Sequence, residues 1–464
     1  MENVEIEITH SKKTMASFAF GTFMSEFLWM AFSAFAFFYY EAEIGLNVLL
    51  IGLAFILYAI WNAVNDPLIG FLTNRPFKFT KKWGRRFPWM ILGGIPWVFS
   101  YVLIFTPPSV DPVGGAWILF GWLLFSLCLF DTFCSLHWVN YASLFPDKFR
   151  STEERRTANG YNILIGVIGT VSGAIVPPLF IIFGNLQSYV IHAGVVFLIA
   201  IIALSISIPG VRDEQKYVDR YLDHYDKESE KSSFFGTLKT TLSQKNFVMY
   251  IIIILCYQIM IRSMTASMPY VARFILNLEA SVITLIMGSF LISVLLSTPI
   301  WVKLAHKIND NRKVFIITGA LLVIFTIPLI FVDSLIGFVI AMIIWGLVLG
   351  GFWAMQMVCL ADVIDEAVVT TCKREEGMYN GINTFFARLA IIAQALSFAV
   401  VHLLTGFVEG SETQSAQAIV GIRIHFAVVP FFALLIGVIF FWKFYDLTPE
   451  KVNANQLKIK EMCI

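Results

Sequence analysis

The chain has 464 residues, of which 58% are hydrophobic and 14% charged, and its formal net charge is +1. Its mean hydropathy of +0.75 lies far above that of soluble globular proteins, so an ordinary soluble domain is excluded. The composition predicts an integral membrane protein.

Twelve apolar runs are long enough to cross a bilayer as helices, since a spanning helix needs roughly 20 mostly apolar residues. These spans lie at about 14–40, 47–73, 88–107, 115–142, 157–184, 187–209, 246–274, 281–304, 313–332, 335–363, 376–404 and 420–444. Continuous runs such as "IIIILCYQIMI" contradict the alternating strands of a membrane β-barrel. The polar start "MENVEIEITHSKK" predicts a tail without a cleaved signal peptide.

Basic residues fall mainly on one side of the spans, and Lys and Arg accumulate in short cytoplasmic loops. With both termini inside, the inner loops carry Arg75, Lys78, Lys81, Lys82, Arg85, Arg86, Lys148, Arg150, Arg155, Arg156, Lys303, Lys307, Arg312 and Lys313. The outer loops hold mostly acids, namely Glu41, Glu43, Asp111, Glu279, Asp333 and Glu409. This asymmetry predicts a multi-pass protein of the plasma membrane with both termini in the cytoplasm.

The longest charged segment lies between the sixth and seventh spans and divides the chain evenly. We predict an N-terminal six-helix half at 1–209, a cytoplasmic linker at 210–245, a C-terminal half at 246–444 and a tail at 445–464. The basic loop after span two has a counterpart after span eight, "VKLAHKINDNRKVF", which indicates an internal repeat. This plan resembles a transporter of the major facilitator type, an all-α membrane protein whose two halves enclose a central cavity.

Neither the cysteines nor any cofactor motif in the sequence indicates a disulfide, a metal site or a bound cofactor. The six cysteines show no metal-ligand spacing, so we expect neither a disulfide nor a metal site. No nucleotide, nucleic-acid or haem motif is present in the sequence. We therefore expect no cofactor, no nucleic-acid partner and no ATP-driven pump in this chain.

Five ionisable residues lie inside predicted spans, where each charge costs at least about 2.5–3.5 kcal/mol. They are Glu26, Asp66, Asp131, Arg262 and Arg388, and their formal charges add up to one excess negative charge. In one interpretation they share a cavity, and a single Na⁺ or H⁺ balances the excess charge. In the other, two acid–base pairs hold helices together and the remaining acid is protonated.

Three stretches carry a specific family resemblance. They are "FGTFMSEFLWM" with "FFYYEAEIGLN", then "IWNAVNDPLIGFLTNR" with "KKWGRRFPWMILG", and "FWAMQMVCLADVIDEAVVTTCKREEGMYNGINTFFAR". Together they resemble the glycoside–pentoside–hexuronide:cation symporters of the major facilitator superfamily. The resemblance covers the whole twelve-span plan, although spans four, five and seven match poorly.

The resemblance implies a solute site. The family's first-span acid and its Trp on span ten are matched by Glu26 and Trp353, and an aromatic face with a carboxylate suits a sugar. The family's amide, Thr and basic residue on span eleven are matched by Asn383, Thr384 and Arg388.

The resemblance also implies a cation site. In this chain that site consists of Asn62, Asn65 and Asp66 on span two and Ser135 on span four. The spacing of four residues places Asn62 and Asp66 on one helix face. Asn62 stands where the family has a second carboxylate, which leaves Na⁺ and H⁺ both open as the coupling ion.

Two solute-binding positions depart from the family pattern. Trp138 stands where span four should carry an acid, and Asn162 or Ile163 stands where span five should carry Arg. Asp131 and Arg262 are additional charges, and we include them and Trp138 among the solute-site residues. Arg262 either binds an acidic solute such as a hexuronide or pairs with an intramembrane acid.

Charged residues also flank the inner ends of spans two, ten and eleven. Asp362, Asp365, Arg374 and Arg75 either form gate salt bridges that break when the transporter opens inward or are ordinary interfacial charges.

The resulting prediction is cation-coupled symport of a sugar, glycoside or hexuronide by alternating access in the lipid bilayer. The alternative keeps the fold and replaces the cargo with a lysolipid or another amphiphile, because the same superfamily includes sodium-dependent lysolipid symporters. A receptor or an intramembrane enzyme is a remote third reading, since neither paired catalytic acids nor a Ser–His dyad are evident at a span end.

Overall fold

The computed structural model describes residues 10–73, 77, 79–149, 151–213, 218, 242–371 and 376–461. All regular secondary structure in this part of the chain is helical. Twelve helices in the same residues are long and apolar enough to cross a membrane. The predicted fold class and number of spans are therefore confirmed.

The described residues fall into two compact units, one within Met1–Glu230 and the other within Lys231–Ile464. Each unit holds six of the twelve spans. The division lies inside the linker predicted at 210–245.

In the part of the first unit that the structure describes there are seven α-helices, of which all but the short α3 are spans. They are α1 (Lys12–Phe38), α2 (Val48–Thr73), α3 (Thr80–Trp83), α4 (Phe87–Ile104), α5 (Ala116–Lys148), α6 (Thr152–Ile175) and α7 (Leu186–Val211).

The second unit contains eight α-helices in the described residues. They are α8 (Lys245–Tyr270), α9 (Ser281–Ile308), α10 (Asn311–Thr326), α11 (Leu335–Thr371), α12 (Glu376–Thr405), α13 (Ala416–Arg423), α14 (Val429–Phe444) and α15 (Pro449–Glu461). The last span joins α13 and α14 through a π-helical turn, and α15 lies beyond it.

Two spans extend further at their C-terminal ends than their hydropathy predicts. The fourth continues to Lys148 and the tenth to Thr371, whereas the apolar runs end near 142 and 363. Hydropathy detects the apolar part of a helix, while the backbone hydrogen bonds continue into polar sequence. Consequently Asp362 and Asp365 lie on a helix and not in a loop.

A π-helical turn recurs at equivalent places in the two units. It covers Tyr39–Glu43 at the end of span one and Val271–Ile275 at the end of span seven. Each turn is followed by a residue with positive φ, Gly45 at 84° and Asn277 at 52°. This shared local geometry supports the internal repeat that the basic loops indicate.

Helices α1 and α6 pack with their backbones close together. An ideal Cβ on Gly169 of α6 would lie 2.5 Å from the Phe23 carbonyl oxygen of α1, and one on Gly173 would lie 2.6 Å from the Phe27 carbonyl oxygen. Only glycine allows such an approach. The first and fifth spans are thereby held in a fixed register.

The carboxylate of Asp213, beyond the inner end of α7, joins two helices of the first unit. It accepts hydrogen bonds from the backbone N–H groups of Arg86 (2.9 Å) and Phe87 (3.1 Å), where α4 begins. Burial raises the pKa of Asp213, although these two N–H groups and the positive charges of Lys148 and Arg86 act in the opposite direction.

Candidate functional site

A polar cluster lies between α2 and α5 of the first unit. The side-chain amide of Asn62 donates a hydrogen bond to Asp131 Oδ1, and that of Asn65 donates to Asp131 Oδ2 at 3.1 Å. All three side chains are buried, and Asp131 is completely so. The buried carboxylate is thus satisfied from the opposite helix, as burial of a charge requires.

The same pair of helices places Asp66 against Ser135. The Ser135 hydroxyl donates to Asp66 Oδ1, and Ser135 is buried while Asp66 is half-buried. Near the cluster, Trp61 Nε1–H of α2 donates to Thr132 Oγ1 of α5 at 3.0 Å. The structure therefore brings the four predicted cation-site residues together in one cluster.

The cluster has the chemistry of a site for a hard cation. Its side chains hold two carboxylates, two amide oxygens and one hydroxyl, which are the ligand types that hard cations take. Asp131, assigned to the solute set by sequence, lies here instead. Sequence reasoning missed this although Asp131 and Ser135 are four residues apart on one helix face.

A cavity of about 470 Å³ lies in the first unit between α1, α5 and α6. Its polar lining consists of Thr22, Glu26, Tyr141, Asn159, Asn162 and Thr170. We call it the N-unit cleft. Carboxylate, amide and hydroxyl groups around one cavity match the hydroxyls of a polar solute.

Glu26 and Trp138 both line the N-unit cleft, as solute residues should. Thr170 donates a hydrogen bond to Glu26 Oε2 at 3.3 Å, and the Glu26 side chain is exposed. Trp138 is 37% exposed and stacks on Tyr141, with ring centroids 5.6 Å apart. The cleft thus presents one carboxylate and one open aromatic face.

Sequence reasoning missed Tyr141, which orders this cleft. Its hydroxyl lies 2.8 Å from the Phe18 carbonyl oxygen, 2.9 Å from Thr22 Oγ1 and 3.2 Å from Asn162 Oδ1. The one usable signal was its position three residues after Trp138, on the same helix face. Asn162 and Ile163, the two candidates for the departing span-five position, both line the cleft.

In the second unit Trp353 of α11 contacts α8. Its Nε1–H donates to the Tyr257 hydroxyl at 2.5 Å, and the Tyr257 and Phe352 rings lie 4.9 Å apart. Arg262 follows Tyr257 on α8, and both Trp353 and Arg262 are half-buried. Tyr257 had no signal in the sequence that distinguished it from the many other aromatic residues.

The remaining solute residues lie on α12. Arg388 is half-buried and Thr384 is exposed. The side-chain oxygen of Asn383 is buried and accepts no hydrogen bond from any described residue. Such an oxygen is a natural acceptor for a solute hydroxyl.

The structure describes only half of the predicted gate residues. Asp362 is buried and accepts a hydrogen bond from Asn311 at 2.9 Å, and Asp365 lies one turn further along α11. Arg75 and Arg374 lie outside the described residues.

Next to this region, Asn246 joins three segments that the sequence did not connect. Its side-chain N–H₂ lies 2.9 Å from both carboxylate oxygens of Glu366 and 2.8 Å from Asp446 Oδ1. The start of α8, the inner end of α11 and the segment after α14 thus meet at one amide.

A model of the family described as MFS/sugar transport protein matches residues 17–449. Among curated proteins, the sodium-dependent lysophosphatidylcholine symporter 1-A of Danio rerio is 24% identical over 445 residues, which cover 86% of this chain and 79% of that protein. The isoprimeverose transporter of Lactiplantibacillus pentosus is 23% identical over 459 residues, which cover 95% of this chain and 91% of that protein.

A solved structure, that of the nucleoside transporter NupG, matches with a TM-score of 0.63 over 93% of this chain and 99% of that one. The two sequences are 10% identical, so this likeness concerns the fold.

Proposed function

Because the chain belongs to the MFS/sugar transport protein family, it is a membrane transporter, and we propose that it moves a sugar or glycoside together with a monovalent cation by alternating access. Within the family we place it with the glycoside–pentoside–hexuronide:cation symporters. In the proposed setting it lies in the plasma membrane with both termini in the cytoplasm.

One observation carries the proposal: the cation cluster and the N-unit cleft share helix α5. Ser135 belongs to the cluster and Trp138 to the cleft, and three residues of one helix separate them. A change at the cluster that moves α5 therefore moves a wall of the cleft. Cation-coupled transport requires such a connection, since each ligand must favour the state that the other prefers.

In this proposal Asp66 is the anchoring acid of the cation, with Asn62, Asn65 and Ser135 as oxygen ligands. Glu26 and Trp138 bind the solute from the first unit. In the second unit, taken by itself, the proposed solute residues are Trp353, Arg262, Asn383, Thr384 and Arg388. Asp362, Asp365, Arg374 and Arg75 remain the proposed gate residues.

A lysolipid is the second candidate cargo, because the relative from Danio rerio, 24% identical, is named a lysophosphatidylcholine symporter. Glu26 supplies a carboxylate that suits the hydroxyls of a sugar, although most of the accessible surface of the cleft is apolar. The isoprimeverose transporter also matches across a larger share of both chains.

Uptake into proteoliposomes tests the proposal. Labelled hexose, pentoside, hexuronide and lysophosphatidylcholine are offered under an imposed Na⁺ gradient or an imposed pH gradient. We expect accumulation of one carbohydrate class under one gradient, and its loss in Asp66→Asn. Asp147→Asn, at the exposed inner end of α5, is the matched control and should behave as wild type.

Two results would contradict this function. Full gradient-driven accumulation by Asp66→Asn removes Asp66 from coupling. Accumulation of lysophosphatidylcholine without any carbohydrate replaces the proposed cargo with the second candidate.

A further inference from the structure

The cation cluster holds more negative charge than its motif on α2 provides. The motif has an amide, Asn62, where a second carboxylate is expected from the resemblance, and only Asp66 is acidic. The structure places a carboxylate of α5, Asp131, directly against that amide. Asn65 binds the other oxygen of the same carboxylate at 3.1 Å.

We propose that Asp131 is the second carboxylate of the cation site and supplies from α5 the charge that α2 lacks at Asn62, which makes the site a sodium site. This inference rests on the proposed function, because it concerns the cation of the same transporter. The site then has the oxygens of Asp66, Asp131, Asn62, Asn65 and Ser135.

Geometry supports one common site for the two acids. Asn62 and Asp66 are four residues apart on α2, and Asp131 and Ser135 are four residues apart on α5. Residues at this spacing lie about 5–6 Å apart on one face of a helix. The two helices therefore contact each other at two levels. Asn62 is hydrogen-bonded to Asp131 at one level, and Ser135 is hydrogen-bonded to Asp66 at the other.

The composition of the site favours Na⁺ over H⁺. A proton is held by one carboxyl group, whose single O–H donates to one further oxygen and makes no use of several converging ones. Several converging oxygens, two of them from carboxylates, match a hard metal cation, and an ion between two like charges relieves their repulsion.

Entry of the ion requires a defined change at the amides. Asn62 and Asn65 turn their N–H₂ groups toward Asp131, whereas a cation needs their oxygens. Rotation of a terminal amide exchanges nitrogen for oxygen about a torsion with a broad, roughly two-fold profile. Cation binding therefore replaces two hydrogen bonds between α2 and α5 with bonds to the ion.

Equilibrium binding of Na⁺ by the purified full-length protein tests the inference. Its affinity is measured by calorimetric titration with NaCl at constant ionic strength in choline chloride, and by the Na⁺-dependent rise of the unfolding temperature. The variants are Asp131→Asn, Asp66→Asn, the double variant Asn62→Asp/Asp131→Asn and the control Asp147→Asn.

We expect Asp131→Asn to lose at least about 100-fold in Na⁺ affinity, as does Asp66→Asn, with no change in the control. The double variant returns a carboxylate to α2, so its Na⁺ affinity should recover to within about tenfold of the wild-type value. Loss of an outer-shell partner already costs about 10- to 100-fold in metal affinity, so loss of a direct charged ligand should cost at least as much. Because the double variant has the charge count of wild type, it also separates a binding defect from a folding defect.

The outcomes distinguish this inference from the proposed function. Unchanged Na⁺ affinity in Asp131→Asn, together with loss in Asp66→Asn, overturns the inference and leaves the coupled transporter intact. Loss in Asp131→Asn without recovery in a folded double variant overturns the exchange of charge between positions 62 and 131. If wild type shows neither Na⁺ binding nor cation-driven uptake, both proposals are overturned.

Discussion

The close packing of α1 on α6 can be tested at Gly169, because both helices carry residues of the N-unit cleft. A Cβ at this position would lie 2.5 Å from the Phe23 carbonyl oxygen, where ordinary contact begins at 3.4 Å. Gly169→Ala must therefore separate the helices by the difference, roughly 0.9 Å, or distort them. Overpacking of this kind costs about 1–3 kcal/mol of unfolding free energy.

Gly160 of the same helix is the matched control, since a Cβ there meets nothing within 4 Å. Gly160→Ala should be neutral or stabilising by up to about 1 kcal/mol, because alanine favours the helix over glycine. Thermal unfolding in detergent compares the stability of the two variants. A solute-binding measurement reports whether the cleft has changed. Equal unfolding temperatures for Gly169→Ala and Gly160→Ala would refute the close backbone contact.

Three further predictions concern single side chains. Glu26→Gln removes a charged hydrogen-bond acceptor worth about 1.5–3 kcal/mol, so solute affinity should fall roughly 10- to 100-fold with an unchanged unfolding temperature; equal affinity would remove Glu26 from the cleft's function. Tyr257→Phe removes the acceptor of Trp353 Nε1–H, so affinity should fall roughly 2- to 10-fold, and a fall in stability alone would assign the pair a structural role. For Asp213, burial raises the pKa above 3.8, so the folded state holds the proton more tightly and stability from this group falls as pH rises through the raised pKa. Wild type should lose stability relative to Asp213→Asn as the pH rises from the ordinary carboxyl range through the raised pKa of Asp213, and the opposite slope would contradict this sign.

Hydropathy predicted the number of spans because each apolar run must form a helix, which satisfies its backbone hydrogen bonds, to cross the bilayer. It did not predict where α5 and α11 end, since their last turns are polar. The π-helical turns were also missed, because π-helices are rare and their extra residue leaves no mark on hydropathy.

The grouping of the predicted cation residues could be foreseen from the sequence because Asn62 and Asp66 obey helical spacing and match a family motif. The position of Asp131 could not, since the rotation of α5 relative to α2 decides whether a residue faces the cluster or the cleft. Spacing along one helix contains no information about that rotation. The same reason explains why Tyr141 and Tyr257, ordinary aromatic residues in a chain with 44 Phe and 15 Tyr, could not be recognised in advance.

The proposed coupling reduces to a question about α5, since its successive turns carry Asp131, Ser135 and Trp138. A rotation of α5 that brings Asp131 and Ser135 closer to an ion also changes the angle of the Trp138 face against the solute. If one helix position serves both ligands best, each ligand must raise the affinity of the other by the same factor, because binding free energies are reciprocal. Couplings of this kind are about 1–3 kcal/mol, or 5- to 150-fold in affinity. A rigid α5 would give no such factor, and then two well-formed sites on one helix would still not make a symporter.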